Sequence, residues 1–221
     1  MRPHLHVDAA APSLEAIAAL RAHLDAGGVA ALPTDTLYGL AADARNADAV
    51  AAVYALKGRD FGKPLPIVVR NLEQAAEAAR DLPDVFAELA AAFWPGPLTL
   101  VVRASAWIAP QVTAGTGTVG MRQPDLPLLA ALLAATGYPL TATSANRSGA
   151  PECRAAAAVA EQLGGLLAEH RGLLVDGGDS PRRQASTIVD LTGDAPRIVR
   201  EGAVAAEALA PYGVVYHETS R

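Results

Sequence analysis

"TVGMRQPDLPLLAALLAATGYPLTATS", residues 118–144, sets two short runs of strand-forming residues on either side of a segment rich in leucine and alanine. Pro127 near the start of that segment brings a preset helical φ where a missing N–H costs nothing, and Gly137 supplies a stop. The stretch predicts strand, helix, strand. Leu126–Asn146 carries no charge, yet Gly137, Tyr138 and Pro139 divide it into pieces too short to cross a bilayer.

The alternation continues outward in both directions. Toward the N-terminus, Ser13 caps a helix over "LEAIAALRAHLDA" that Gly27 and Gly28 stop, and "VAALPTD" follows as a buried strand. Asn46 caps "ADAVAAVYALK", which ends at Gly58. "PLPIVV" reads as a strand, Leu72–Ala79 and Pro83–Phe93 as helices, and "LTLVV" as a strand. Toward the C-terminus come a helix over Glu152–Leu163 and the strands "LLVD", "STIVDL" and "PRIVRE". Strands separated by helices, with no Pro- or Ser-rich linker, predict one α/β domain with a mixed sheet and helices packed on it. Ala206–Arg221 is expected to be a helical turn plus a tail.

The 221 residues are enough to bury a core without covalent staples. With 51% hydrophobic and 19% charged residues the chain is expected to fold compactly. The net charge of -5 disfavours broad nucleic-acid binding, because an acidic surface repels a polyanion at long range. A small anion in a locally basic cleft remains compatible with it. Cys153 is the only cysteine, so no internal disulfide and no cysteine-rich zinc site is expected. The first twenty residues lack the pattern of a signal or transit peptide, and a cytoplasmic location is expected.

Small hydroxyls and cations recur at the predicted strand ends. "LPTDTLYGL", residues 32–40, crowds Thr34, Asp35, Thr36 and Tyr38 where open sheets tend to bind ligands, although a turn satisfying its own backbone would read the same. "KGRDFGK", residues 57–63, sets Lys57, Arg59 and Lys63 around two glycines; it is either a solvated turn or a loop gripping a polyphosphate. Truncating Lys57 or Arg59 there is expected to cost the fold little. No GxxxxGK[ST] or GxSxG sequence is present. Arg122 ends one strand, Ser186 enters another and Arg200 ends a third, while Thr141, Thr143, Ser144, Asn146 and Ser148 form a dense polar turn. His4, His6, His23, His170 and His217 show no metal-ligand spacing, His23 is expected on a helix surface, and Trp94 and Trp107 are expected as packing anchors.

"PTDTLYGL", "KGRDFGKPL", "FWPGPLTLVV", "TVGMRQPD", "TSANRSG" and "STIVDL" stand in the order and spacing of the threonylcarbamoyl-AMP synthase family, the YrdC-like proteins, and the chain resembles that family from about Leu14 to Val204. The resemblance implies a twisted open α/β sheet around a concave cavity, with a catalytic domain over residues 9–205 and a tail over 206–221. It implies an enzyme that joins L-threonine, bicarbonate or CO2, and ATP into threonylcarbamoyl-adenylate, with release of pyrophosphate. Magnesium would arrive with ATP, with no metal held by the protein alone. The product would pass to the tRNA threonylcarbamoyl transferase machinery, with weak direct tRNA binding at most.

On the same resemblance Lys57 and Arg59 are catalytic contacts, and Lys57, Arg59, Lys63, Thr118, Ser144, Asn146 and Arg200 surround the nucleotide. Thr36, Arg122, Ala142 and Ser186 surround the threonine, with the Arg122 fork suited to its carboxylate. Asn146 is expected to hold the turn after Ser144. Two positions depart from the family pattern, Val68 standing where many relatives have a histidine and Glu152 where relatives often have a hydroxyl, and the additional C-terminal domain of the longer branch is not expected here. A double-stranded RNA or tRNA-binding module, and a related carbamoyl transfer to another acceptor, are the competing readings.

Overall fold

The computed structural model describes residues 4–59, 62–181 and 184–215. Asp60 and Phe61 of the basic loop, Arg182 and Arg183, and the tail from residue 216 onward with His217 lie outside the described residues.

Eight α-helices, eleven strands and a 3-10 turn over Ala210–Tyr212 make up the described chain. The helices are α1 (Leu14–Asp25), α2 (Ala47–Lys57), α3 (Leu72–Ala78), α4 (Asp84–Phe93), α5 (Pro110–Thr113), α6 (Pro127–Thr136), α7 (Ala156–Glu169) and α8 (Ala206–Leu209). The strands are β1 (His4–His6), β2 (Val29–Leu32), β3 (Gly39–Ala41), β4 (Ile67–Val68), β5 (Leu98–Arg103), β6 (Thr118–Arg122), β7 (Leu140–Thr141), β8 (Thr143–Ser144), β9 (Gly172–Asp176), β10 (Thr187–Asp190) and β11 (Arg197–Arg200).

The caps anticipated from sequence are in place. Ser13 accepts from the Ala16 N–H, and Asn46 accepts from the Asp48 and Ala49 N–H groups, so each satisfies donors that the first helical turn leaves open. Gly58 ends α2 at φ 56 in the left-handed region, where a Cβ would be strained. The helix expected over Glu152–Leu163 instead runs from Ala156 to Glu169, and no side-chain hydrogen bond caps its N-terminus. Nothing local announced that start.

The mixed α/β architecture with flanking helices is present, and its strands divide into two mixed sheets. One has the order β1-β9-β2-β3-β8 and the other β11-β10-β5-β6-β4-β7. The expected single strand over "PLTATS" is the reason the two sheets meet. It breaks at Ala142, so that β7 pairs with β4 in one sheet while β8 pairs with β3 in the other. Thr141 stitches the crossing: its Oγ1 donates to the Leu40 oxygen and accepts from the Ala42 N–H, both at 3.0 Å.

Two apolar clusters hold the layers. One joins α1 and α6 to the first sheet through Leu20, Leu24, Leu128, Leu132 and Val175; the other packs α2, α4 and α7 through residues such as Val53, Tyr54, Phe86, Leu89 and Leu163. These side chains are almost wholly removed from water, and burial of each large one contributes about 1.5–3 kcal/mol. The Trp94 Nε1 donates to the Leu98 oxygen at 2.7 Å and the ring packs edge-on against Phe86, as an anchor should. His23 is not a free surface residue: its Nε2 lies 3.1 Å from the Val29 oxygen, because α1 turns directly into β2. Among the described residues no helix is long and apolar enough to cross a membrane.

Candidate functional site

A cavity of about 240 Å³ opens between the sheets, lined by residues of β3, β4, β6, β8, β10 and β11 and by the Thr34–Tyr38 turn. Most of its walls are therefore strand ends, where the pleat stops and main-chain and side-chain polar groups are free to face a ligand.

At one end Arg122 and Asp35 form a buried ion pair, Nη1 to Oδ1 at 2.5 Å, with the side chains 7% and 2% exposed. Arg122 Nη2 also lies 3.5 Å from Thr36 Oγ1. Thr34 Oγ1 sits 2.9 Å from Thr36 Oγ1 and accepts from the Thr36 and Leu37 N–H groups, so the turn is rigid. Arg122 therefore cannot offer an unshared fork. With Nη1 on Asp35, the edge toward Thr36 is the part left for an incoming carboxylate. In sequence, Asp35 is one of the polar groups crowded at the strand end; its "TDT" context carries the signal, but its pairing with Arg122 does not show there.

Val68 packs next to this pair. It is 1% exposed, lines the cavity and stands opposite Arg122 in the β4–β6 ladder. The wall where many relatives place an imidazole is apolar here. Across from it, Ser186 Oγ lies 2.8 Å from Thr99 Oγ1, and Arg200 Nη2 donates to the Ser186 main-chain oxygen at 2.8 Å. Gly202 keeps this side close, since a Cβ there would collide with the Ala185 and Ser186 carbonyl oxygens. Thr187 Oγ1 ties the same segment down by accepting from the Gly202 and Val204 N–H groups.

Arg59, Ser144, Glu152 and Arg200 also line the cavity. The cavity thus collects Arg59, Arg122 and Arg200 in a chain whose net charge is -5. Against them stand Glu152 on the wall and Asp35 behind it. Glu152 does not turn away: it lines the cavity within electrostatic reach of Lys57 and Arg200.

The predicted site residues separate into two groups. Thr36, Arg59, Arg122, Ala142, Ser144, Ser186 and Arg200 line the cavity, whereas Lys57, Lys63, Thr118 and Asn146 do not. The sequence sets Lys57 in the basic turn or loop of residues 57–63. Lys57 is instead the last residue of α2, 4% exposed, and its Nζ donates to the Ser144 oxygen at 2.5 Å, the Asn146 oxygen at 3.0 Å and Asn146 Oδ1 at 3.2 Å. Burial, reinforced by the nearby Arg59 charge, lowers its pKa to about 8. Asn146 completes the same turn by accepting from Ser144 Oγ at 2.6 Å and donating to the Ala150 oxygen at 2.6 Å. Lys63 is exposed, and Thr118 starts β6, four residues before Arg122, with its Oγ1 against Thr116 Oγ1 at 2.9 Å.

Comparison with known proteins bears on the family and the fold. The family model described as Sua5/YciO/YrdC, telomere recombination, matches residues 22–202. A threonylcarbamoyl-AMP synthase of Bacillus subtilis (strain 168) is 38% identical over 194 residues, covering 87% of this chain and 55% of that protein. The threonylcarbamoyl-AMP synthase of Thiobacillus denitrificans is 37% identical over 172 residues, covering 78% of this chain and 89% of that protein. A crystal structure of P. abyssi Sua5 complexed with L-threonine superposes with a TM-score of 0.90 at 31% identity, over 97% of this chain and 62% of that one. The chain thus spans a little more than half the length of the Bacillus relative and most of the Thiobacillus one.

Proposed function

The chain belongs to the Sua5/YciO/YrdC family, and on that premise we propose that it is a threonylcarbamoyl-AMP synthase, a nucleotidyltransferase that makes L-threonylcarbamoyladenylate and pyrophosphate from L-threonine, bicarbonate or CO2, and ATP. The observation that carries the reading is the convergence of Arg59, Arg122 and Arg200 with the hydroxyls of Thr36, Ser144 and Ser186 on one cavity of an acidic chain.

The chemistry asks for that arrangement. The threonine nitrogen bonds to the carbon of CO2 and gives up a proton, or with bicarbonate a water leaves; an oxygen of the resulting carbamate then forms a bond to the α-phosphorus, the bond to the β-phosphate oxygen breaks, and pyrophosphate leaves with the electron pair. Both reactants are anions, so the work of the protein is to neutralise charge and hold the reacting atoms in line. Arg122, steadied by Asp35, takes the amino-acid carboxylate on its free edge. Thr36 and Ser186 supply hydroxyl partners for the threonine side chain, and Val68 faces its methyl. Arg59 and Arg200 attract the phosphates. Lys57 acts through the Ser144–Asn146 turn as well as through its charge.

Magnesium accompanying ATP is compatible with the donors present. That ion is bound through one or two carboxylates together with phosphate oxygens, and Glu152 is a carboxylate on the cavity wall. When bound, it would offset negative charge on the polyphosphate. Glu152 is the residue that would hold it. The product's use in tRNA modification follows from the same reading, and the chain's own affinity for tRNA is expected to be weak because its net charge is negative.

The decisive measurement is pyrophosphate release from ATP by the purified chain. Dependence on both threonine and bicarbonate is expected. Release that needs neither, or no release alongside tight tRNA binding at physiological salt, would overturn the proposal.

A further inference from the structure

Outside the cavity, β1 and β9 bring together a second constellation. The two strands run parallel with His4 opposite Leu174 and His6 opposite Asp176. Side chains two apart on a strand share a face, so His4 and His6 stand on one side, and the register puts Asp176 on that side beside His6. The imidazole centroids are 4.6 Å apart, and His6 Nδ1 lies 3.5 Å from Asp176 Oδ2. One ligand atom from each of the three residues lies within 4.8 Å of the other two.

An exposed histidine–carboxylate pair by itself contributes little to stability, and two neighbouring imidazoles repel when both are protonated. What sets this group apart is how the carboxylate is held. The Gly178 N–H donates to Asp176 Oδ1 at 3.2 Å, leaving Oδ2 turned to the histidines. The Val7 N–H bonds the Asp176 main-chain oxygen at 2.9 Å, so the strands stay paired past the cluster. Gly178 is fixed in turn, because its oxygen accepts from the Tyr38 hydroxyl at 2.8 Å. Gly177 has no spare room, since a Cβ there would meet Pro33 Cγ at 2.8 Å. A ligand carboxylate oriented by an outer hydrogen bond, on a backbone that cannot shift, is a common feature of metal sites.

We propose that His4, His6 and Asp176 bind a divalent transition-metal ion of the zinc class. Two imidazole nitrogens and one carboxylate oxygen suit Zn2+, Co2+ or Ni2+, with water in the remaining positions, whereas Mg2+ and Ca2+ prefer all-oxygen shells. This ion is distinct from any that comes with ATP, because none of the three residues lines the cavity. It fastens the first strand to the 176–178 segment, the same segment that braces Tyr38 in the cavity wall.

The test uses the untagged full chain freed of metal, titrated with Zn2+ by calorimetry and with Co2+ by visible absorption. Saturable binding of one ion per chain is expected, weakened at least about tenfold in His6→Ala and in Asp176→Asn, since loss of a ligand costs no less than loss of an outer-shell partner. The Asn variant keeps an oxygen for the Gly178 N–H, and the melting temperature without metal should match the wild type in both variants. Zn2+ should raise the melting temperature of the wild type more than that of either variant. His170→Ala serves as the control and should bind like the wild type. Equal binding by the wild type and His4→Ala/His6→Ala, no saturable uptake, or Mg2+ binding as tightly as Zn2+ would each overturn the proposal. Pyrophosphate release plays no part in this readout, so its outcome is independent of the synthase assignment.

Discussion

Arg122 and Arg200 both face the cavity, yet they are held in opposite ways. Arg122 is 6% exposed and paired with a buried carboxylate, while Arg200 stands exposed and is steadied by the oxygens of Ser186. The Arg122 side of the cavity is built closed, with its charge compensated before any ligand arrives. The side of Arg59 and Arg200 is more open, with exposed Arg200 and half-buried Arg59 on its wall. Such a difference suits a small ligand selected by shape at one end and a large anion attracted by charge at the other.

The largest expected effect breaks the closed end. Arg122→Ala removes the Nη1 partner of the buried Asp35 Oδ1 and should cost about 3–5 kcal/mol of stability, read by urea unfolding. Arg200→Ala should stay within about 0.5 kcal/mol of the wild type, as exposed substitutions do, while losing ATP use in pyrophosphate release. Equal destabilisation by the two would erase the distinction.

Lys57 and Arg59 sharpen the comparison between two cations only two positions apart. Lys57→Ala takes the Nζ donor from three acceptors in the Ser144–Asn146 turn, of which the Ser144 oxygen and Asn146 Oδ1 each keep a second donor, and should lower stability by about 1–3 kcal/mol, against almost nothing for Arg59→Ala. Denaturant midpoints with unchanged slopes would check it, and equal midpoints would put Lys57 back in open solvent.

A smaller, pH-dependent effect follows from the same lysine. Its folded pKa of about 8 lies below the ordinary 10.5, so between those values the unfolded chain binds more protons than the native one and stability rises with pH. Below about pH 8 both forms are charged and the burial penalty is at its full size. The wild type should gain stability relative to Lys57→Met as pH climbs through that window, and parallel pH curves would contradict it.

The mildest change tests selection at the closed end. Ser186→Ala removes one neutral hydrogen-bond partner and should raise the threonine requirement by about two- to tenfold, corresponding to roughly 0.5–1.5 kcal/mol, with little effect on ATP. Valine should be a poor substitute and serine a weak one, because a buried hydroxyl rejects a ligand that leaves it unpaired. Equal use of threonine and valine would mean that the wrong residues have been assigned to the amino acid.

Much of the fold was legible because its signals are local. Ser13 and Asn46 sit where a cap must be, Pro127 and Gly137 bracket α6, and the six residues of β5 or the five of β6 are enough to show strand composition. The two-residue β4, β7 and β8 and the three-residue β3 are too short for any period to emerge, and their lengths are set by neighbouring strands. The break at Ala142 is of the same kind: "PLTATS" reads as one strand by composition, and only two different partners divide it.

What the sequence determined by itself is thus the succession of helices and strands, the caps that punctuate them, the acidic total and the set of hydroxyls and cations at strand ends. Tertiary structure alone decided which of those groups meet. Arg122 and Asp35 lie 87 positions apart, as do Lys57 and Ser144, and His6 finds Asp176 only because β1 pairs with β9. Capping and helix propensity act over three or four residues, so they can be read along the chain. Charge pairing acts through space, and whether a lysine becomes a surface cation or a buried brace depends on sheet order and register, which the sum of all the packing selects.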